Sequence, residues 1–304
     1  MNAVEGNMET LVRAVAGNRA VRVVASVTTR LVEEARSRQG SAPTATAALG
    51  RALTASGLLA GMLKGEQKVT IRVLGDGPLG GIVTDGTAAG DVRGYVQNPE
   101  VDLPPRSRHK LNVGAAVGRG TIHVTRDLGL RYPYHGSAPL VSGEIGEDLA
   151  HYLARSEQIP SVVSLGVLVE RDGRVGAAGG FIVQVMPGAD PEAVAYLEAH
   201  VRTLPPVTHL VRQGMGPADL ARMGLGDLGM HMVEERAVRF RCTCSRERVE
   251  GVLLSLGCEE IRSLLAQEGR AEVRCRFCGE VYLLGEEALR ELLGRLGPGL
   301  RPVS

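Results

Sequence analysis

The chain of 304 residues lacks tryptophan, and aromatic residues make up only 3% of it. A buried core must therefore be built from aliphatic side chains, in a chain that is long enough for two domains. No apolar run reaches the about 18 residues that a membrane-spanning helix needs. An excess of charge is also lacking. The formal net charge is +1, which argues against a strongly nucleic-acid-binding surface as the main activity.

A secretory signal is missing from the N-terminal segment. Residues Met1 to Thr10 are polar and acidic, without the basic start and apolar stretch of a signal peptide. We therefore expect a cytoplasmic protein with no membrane partner. Thiols are kept reduced in that compartment, so cysteine pairs there serve as metal ligands or redox sensors more often than as permanent disulfides.

Cysteine is absent from the first 241 residues, and all five cysteines lie between Cys242 and Cys278. A Cys-x-Cys pair (Cys242, Cys244) is separated by 30 residues from a Cys-x-x-Cys pair (Cys275, Cys278). Four thiolates in two tight pairs are what a tetrahedral Zn²⁺ site needs, so we expect one Zn²⁺ per chain at these residues. A thiol oxidant can also convert vicinal pairs into disulfides. The fifth cysteine, Cys258, lies between the pairs and is interpreted as a bystander.

Strand patterns and glycine-rich turns dominate the first part of the chain. Lys68 to Leu74, for example, alternates polar and apolar residues along one predicted strand. Arg171-Asp-Gly173 has the sequence of a hairpin turn. Helices are predicted over Thr44 to Lys64 and Gly146 to Gln158. These patterns indicate an α/β domain over residues 1–187 with a mostly antiparallel sheet.

The pattern changes after residue 187. Asp190-Pro191-Glu192 provides the N-cap residue and the proline that begin a helix, and Pro205-Pro206 ends it. The apolar positions of this helix form one stripe, called here the linker stripe, which comprises Val194, Leu197, Val201 and Leu204. Residues 188–236 are therefore predicted to be a helical linker whose apolar faces need a neighbour.

Residues 237–304 form a predicted cysteine module of two helices, a hairpin and a final helix. The hairpin spans Glu272 to Leu284 and has Cys275-Arg-Phe-Cys278-Gly at its turn. A module of this size is marginal without a staple. Binding of Zn²⁺ is worth about 10–16 kcal/mol in such modules, and much of that is folding energy. The whole chain is thus predicted to be α+β, with a sheet domain, a helical linker and a small C-terminal Cys₄ module.

Two other functions remain open on the residues alone. A zinc-ribbon nucleic-acid-binding protein would use the same cysteines, but 11 arginines balance 11 glutamates between Glu235 and Arg295. That balance lacks the basic footprint that phosphate binding requires. A thiol oxidoreductase would place its Cys-x-x-Cys near a βαβ pattern, whereas this one lies in a predicted hairpin and has a matched partner pair. We therefore expect neither a nucleic-acid partner nor an enzyme.

Several motifs resemble one known family. Cys242-Thr-Cys244, Glu259-Glu-Ile261 and Glu272-Val-Arg-Cys275-Arg-Phe-Cys278 resemble the redox-switch end of the bacterial redox-regulated heat-shock chaperones, the family of the 33-kilodalton heat-shock protein. Gly94-Tyr-Val-Gln-Asn-Pro99 and the segment around Gly77-Pro-Leu-Gly-Gly81 resemble its N-terminal domain. The resemblance covers nearly the whole chain, and the segments follow in the same order.

The resemblance implies a chaperone that holds unfolding client proteins without ATP. Its reduced, inactive form binds zinc through the four paired cysteines. Oxidation by peroxide or hypochlorite forms the disulfides Cys242–Cys244 and Cys275–Cys278, releases the zinc and unfolds the module and the linker. The linker stripe is then a candidate client-binding surface, and the active form is a homodimer. Cys258 departs from the four-cysteine pattern of the family.

Overall fold

The structure is a computed structural model, and it describes residues 9–16, 20–107 and 110–296. Most of the predicted polar N-terminus, Met1 to Thr10, and the end of the predicted module, 297–304, lie outside the described residues. The chain divides into two compact units, with the boundary between Arg241 and Cys242. Over the described ranges, no helix combines the length and the apolar character that crossing a membrane requires.

The first unit is built on one large sheet. Its elements follow in the order β1 (Glu9–Ala16), β2 (Val21–Val27), α1 (Thr29–Gln39), α2 (Pro43–Ala60), β3 (Lys68–Gly75), β4 (Gly81–Thr87), β5 (Asp91–Val96), α3 (Val113–Val117), β6 (Gly120–Asp127), β7 (Tyr134–Pro139), α4 (Gly146–Ser156), β8 (Ser161–Val169), β9 (Val175–Val185), α5 (Pro191–Val201), α6 (Val207–Arg212), α7 (Pro217–Leu225) and β10 (His231–Phe240). The ten strands are ordered β7-β6-β3-β4-β5-β10-β1-β2-β9-β8. Neighbouring strands are antiparallel except β5 and β10, which are parallel. The predicted α+β class is confirmed.

Local sequence patterns account for several of these elements. Strand β3 buries Val69, Ile71 and Val73 while Lys68 and Arg72 are exposed, as its alternation predicts. The predicted hairpin turn joins β8 to β9, where the Glu170 N–H donates to the Arg174 carbonyl at 2.8 Å. Its glycine, Gly173, has a φ of +83°, which other residues rarely adopt.

Helix α2 lies at the centre of the first unit and is buried along almost its entire length. Pro43 stands in its first turn, where the missing N–H costs nothing, and alanine and leucine fill most of the rest. The helix packs against β4 and β5 and also against β8 and β9, so it joins both halves of the sheet. Gly50 permits the close packing against β8, because a Cβ there would lie 2.8 Å from Cγ2 of Val167.

The predicted linker contains α5, α6 and α7, as its pattern indicates. Their apolar side chains share a core with strands β1, β2 and β9. Residues 231–236, however, lie in β10 and not in a helix. This strand is fixed by partners distant in sequence, including an ion pair of 2.7 Å between Arg13 and Glu234 across β1 and β10. The division of the chain into three parts, with boundaries after residues 187 and 236, stays a prediction. The structure itself separates two compact units after Arg241.

The second unit has the elements that the sequence predicts. They are α8 (Arg246–Leu256), α9 (Cys258–Gln267), β11 (Arg270–Arg274), β12 (Val281–Gly285) and α10 (Glu286–Leu296). The strands β11 and β12 form an antiparallel hairpin. A small aliphatic core holds the elements together and comprises Val249, Leu253, Ile261, Ala271, Leu284, Leu289 and Leu292.

Candidate metal centre

The first cysteine pair lies in the irregular segment that leads into α8. Ser245 is the N-cap residue of that helix, and its hydroxyl accepts a hydrogen bond from the Arg248 N–H at 3.3 Å. The Thr243 hydroxyl accepts another from Arg248 Nη1 at 2.7 Å. Because alternate side chains of an extended segment share one side, Cys242 and Cys244 face together while Thr243 faces away.

The second pair lies in the turn between β11 and β12. The Cys275 N–H donates to the Glu280 carbonyl at 2.9 Å, and the Gly279 N–H donates to the Cys275 carbonyl at 2.8 Å. Gly279 has a φ of +75°, a backbone conformation that residues with a Cβ rarely adopt, so this turn depends on glycine at that position. This turn brings Cys275 and Cys278 to one side of the hairpin.

The structure brings all four predicted ligands together, and they are called here the cysteine cluster (Cys242, Cys244, Cys275 and Cys278). Their sulfur atoms lie within 4.8 Å of one another. The Cys242 and Cys275 sulfurs are 3.7 Å apart, and those of Cys244 and Cys278 are 3.4 Å apart. A tetrahedral ion with metal–sulfur bonds of about 2.3 Å separates its ligands by about 3.8 Å. No disulfide joins these four cysteines, so the cluster could hold a metal ion.

Burial and mutual hydrogen bonding change the pKa values of these thiols. Burial raises the pKa of Cys242, but hydrogen bonds from the Cys244 N–H and the neighbouring thiols outweigh it, and the pKa ends below its ordinary value. Burial raises the pKa of Cys244 and of Cys278, whose side chain is buried. Four negative sulfurs in so small a volume repel one another, so the fully deprotonated cluster needs a cation to compensate its charge.

Tyr282 is a neighbour of the cluster that the sequence reasoning missed. It lies on β12 opposite Val273, and its ring packs against the small core. Its hydroxyl donates a hydrogen bond to the Cys244 sulfur at 3.1 Å. This hydrogen bond is the main reason why the pKa of Tyr282 lies above its ordinary value. A tyrosine four residues after Cys278 fits a core position equally well, so the spacing gives no signal of this contact.

The remaining candidate residues lie outside the cluster. Cys258 begins α9 as a half-buried residue and is not part of the group of four. In the linker stripe, Leu197 is only 2% exposed and Leu204 packs against the same core. Val194 and Val201 are half-buried. The stripe is thus largely covered in this structure, and its client-binding role stays a prediction.

The fold and the site define an α+β protein of two units, the second of which carries four convergent cysteines. The family described as Hsp33 protein matches residues 9–285. A 33 kDa chaperonin from Desulforamulus reducens is 50% identical over 286 residues, which cover 94% of this chain and 97% of the relative. A 33 kDa chaperonin from Bacillus mycoides is 48% identical over 287 residues, covering 94% and 99%.

A solved structure agrees with the sequence relatives. The crystal structure of the 33 kDa chaperonin from Thermotoga maritima has a TM-score of 0.89 and 38% identity, and it covers 95% of this chain and 99% of that chain. The chain belongs to the Hsp33 family. The family resemblance read from the cysteine motifs is confirmed. The shared name supports a chaperone role and agrees with the prediction that the chain is not an enzyme.

Proposed function

We propose that the protein is a redox-regulated, ATP-independent chaperone that holds unfolding client proteins after it has been oxidised. In the reduced state the cysteine cluster binds one Zn²⁺, and the protein is inactive. The observation that carries the proposal is the pair of short sulfur–sulfur distances, 3.7 Å and 3.4 Å, because each joins one cysteine pair to the other. An ion at their centre crosslinks two parts of the second unit that are distant in sequence.

Zinc is the proposed metal because of the donor set. Four thiolates in a tetrahedral arrangement suit Zn²⁺, whereas carboxylates and carbonyls suit calcium and magnesium. When bound, Zn²⁺ would compensate the thiolate charge and hold both pairs in place. Three of the four cysteines are half-buried, so a small oxidant such as peroxide or hypochlorite can reach sulfur atoms of the cluster.

Oxidation would produce the disulfides Cys242–Cys244 and Cys275–Cys278. For each disulfide, two thiolates lose two electrons to hydrogen peroxide, whose O–O bond breaks to give two hydroxide ions as the sulfurs join. Zinc is held by thiolates, so the cysteines, once joined as disulfides, would no longer hold it. Each disulfide closes a loop within one pair, and neither replaces the crosslink between the pairs. The second unit is then left with only its small core.

Unfolding of the second unit would extend along the chain into the linker. Helices α5, α6 and α7 are 6 to 11 residues long, and helices that short depend on packing for their stability. The linker stripe and its apolar neighbours would then become exposed and bind client proteins, and the active form would be a homodimer. The proposed location is the cytoplasm. The balance of 11 arginines and 11 glutamates between Glu235 and Arg295 supports a function without nucleic acid.

The decisive experiment compares reduced, zinc-loaded protein with peroxide-treated protein at a temperature that unfolds a client enzyme. We expect the oxidised protein alone to suppress client aggregation, as measured by light scattering. A metal-binding dye should detect the released zinc, and sedimentation should detect the dimer. Mass spectrometry of peptides should recover the two short-range disulfides. Zinc that stays bound after oxidation, or equal suppression by both forms, would contradict the proposal.

Two serine variants provide matched controls. Cys278→Ser removes a ligand from the cluster, so the reduced variant should bind zinc weakly and should no longer depend on oxidant for its activity. Cys258→Ser changes the cysteine outside the cluster and should behave as the unchanged chain does in both assays. Altered zinc release in Cys258→Ser would show that its interpretation as a bystander is wrong.

A further inference from the structure

The contact between Tyr282 and the cysteine cluster joins the small core to the metal ligands. The aromatic ring packs against the core of the second unit, while the hydroxyl reaches the Cys244 sulfur at 3.1 Å. Tyr282 is paired with Val273 in the β11–β12 hairpin, and this strand register sets the position from which its hydroxyl contacts Cys244. The tyrosine is therefore held from its own strand and donates toward the opposite cysteine pair.

The Cys244 sulfur, which accepts this hydrogen bond, can either bind a metal ion or be oxidised. The hydrogen bond stabilises the negative charge of the thiolate, and the thiolate is the form that binds metal. It also occupies a sulfur lone pair, which then is less available for attack on an oxidant. Both effects favour the metal-bound, reduced state. Hydrogen-bonding partners of metal ligands orient them in the same way in other metal sites.

We infer that Tyr282 is a positioning residue of the metal centre, whose hydroxyl retains the Cys244 thiolate as a ligand and slows its oxidation. The inference rests on the proposed zinc-bound reduced state. Oxidation at this sulfur begins when the thiolate attacks peroxide. An S–O bond forms, the O–O bond breaks, hydroxide leaves and a sulfenic acid results. The Cys242 thiolate then attacks the sulfenic sulfur, forms the disulfide and displaces a second hydroxide. Tyr282 thus sets how readily the oxidant starts this sequence.

Apart from the cysteine thiols themselves, Tyr282 donates to the cluster from a side chain, whereas two further donors are backbone groups. The Cys244 N–H donates to the Cys242 sulfur, and the Glu280 N–H donates to the Cys278 sulfur. Substitution leaves such backbone donors in place. The phenol hydroxyl, in contrast, is removed by Tyr282→Phe, which keeps the ring that packs against the core.

The test measures zinc in the full-length chain with and without this hydroxyl. Tyr282→Phe should bind Zn²⁺ about tenfold more weakly in competition with a chelator, in line with the loss of other such partners. It should also release zinc faster under peroxide. Tyr132→Phe is the matched control, because Tyr132 is 71% exposed in the first unit, and it should leave both quantities unchanged.

Substitution of Co²⁺ for zinc gives a readout that a merely structural role would not change. Loss of a hydrogen bond raises the energy of the sulfur donor electrons, so the sulfur-to-cobalt charge-transfer band of Tyr282→Phe should move to longer wavelength. An unchanged band, zinc affinity and release rate in Tyr282→Phe would overturn this inference alone. Failure of the unsubstituted chain to bind zinc would overturn the proposed function as well.

Discussion

Glu33 shows how one carboxylate connects a helix to a strand far along the chain. Its oxygens accept hydrogen bonds from Arg36 Nε at 2.8 Å and Nη2 at 2.7 Å, within helix α1. They also accept the Val175 N–H at 2.9 Å, at the start of β9. The hydrogen bonds from Arg36 are the main reason why the pKa of Glu33 lies below its ordinary value of 4.5. The fold therefore favours the ionised carboxylate.

This contribution to stability should depend on pH with a definite sign. Because the pKa is lower in the folded state, the stabilisation is present above pH 4.5 and is lost as the pH falls through the folded value. Glu33→Gln should lower the free energy of unfolding by about 0.5–1 kcal/mol at neutral pH, since the pair is partly exposed. Urea unfolding should show this difference at neutral pH and should lose it progressively as the pH falls below 4.5 and through the folded-state pKa.

A neighbouring ion pair supplies the control for Glu33. Glu34, the next residue of helix α1 after Glu33, forms an ion pair with Arg38, but both side chains are more than 40% exposed. Solvent-exposed pairs of this kind contribute little, so Glu34→Gln should leave the unfolding free energy nearly unchanged at any pH. A difference for Glu33→Gln that is the same in acid and at neutral pH would refute the role assigned to its charge.

At the scale of elements, the packing of helix α5 depends on one of its own residues, Leu197. Leu197 is 2% exposed in the core that α5 shares with β1, β2 and β9. Leu197→Ala should destabilise this region by about 2–4 kcal/mol, through lost burial and the cavity left behind. Hydrogen exchange of the α5 amides should become faster in the reduced protein. Val194→Ala removes less from a half-buried position, and an effect as large as that of Leu197→Ala would contradict this account.

Elements with a local pattern could be predicted from the sequence, and elements defined by distant partners could not. Strand β3 alternates cleanly, and the β8–β9 hairpin has a recognisable turn. Strand β10 is rich in charge, and its place between β1 and β5 depends on pairings such as Glu9 with Val238. Strand β1 begins within the segment interpreted only as a polar N-terminus. Nothing in a short window reveals either pairing.

For the metal centre, too, the sequence could predict some residues and not others. Its four cysteines could be predicted because each pair is close in sequence and thiolates have few other uses in such a pattern. The contact of Tyr282 with Cys244 could not be predicted, because it depends on the register of the β11–β12 hairpin and on the approach of the Cys-x-Cys segment to that hairpin. Spacing identifies ligands, whereas their hydrogen-bonding partners depend on tertiary structure.

At the scale of the whole molecule, the two units are stabilised by different means. The first has a ten-stranded sheet around a helix, α2, that is almost completely buried. Over its described residues, the second has a short hairpin and three helices around a few aliphatic side chains. Small units bury a smaller share of their surface and usually need a metal or disulfides to be stable. The proposed zinc should therefore matter to the second unit far more than to the first.

Removal of the metal from the reduced, full-length chain should accordingly unfold one unit and spare the other. A chelator should abolish the hydrogen-exchange protection of α8, α9 and the β11–β12 hairpin, while α2 and β3 keep theirs. Acidification should have the same selective effect, because protons compete with zinc for the thiolates. Added Zn²⁺ should restore protection at neutral pH. If protection were lost equally in both units, or in neither, the metal would not be the element that stabilises the second unit, and oxidation could not act by releasing it.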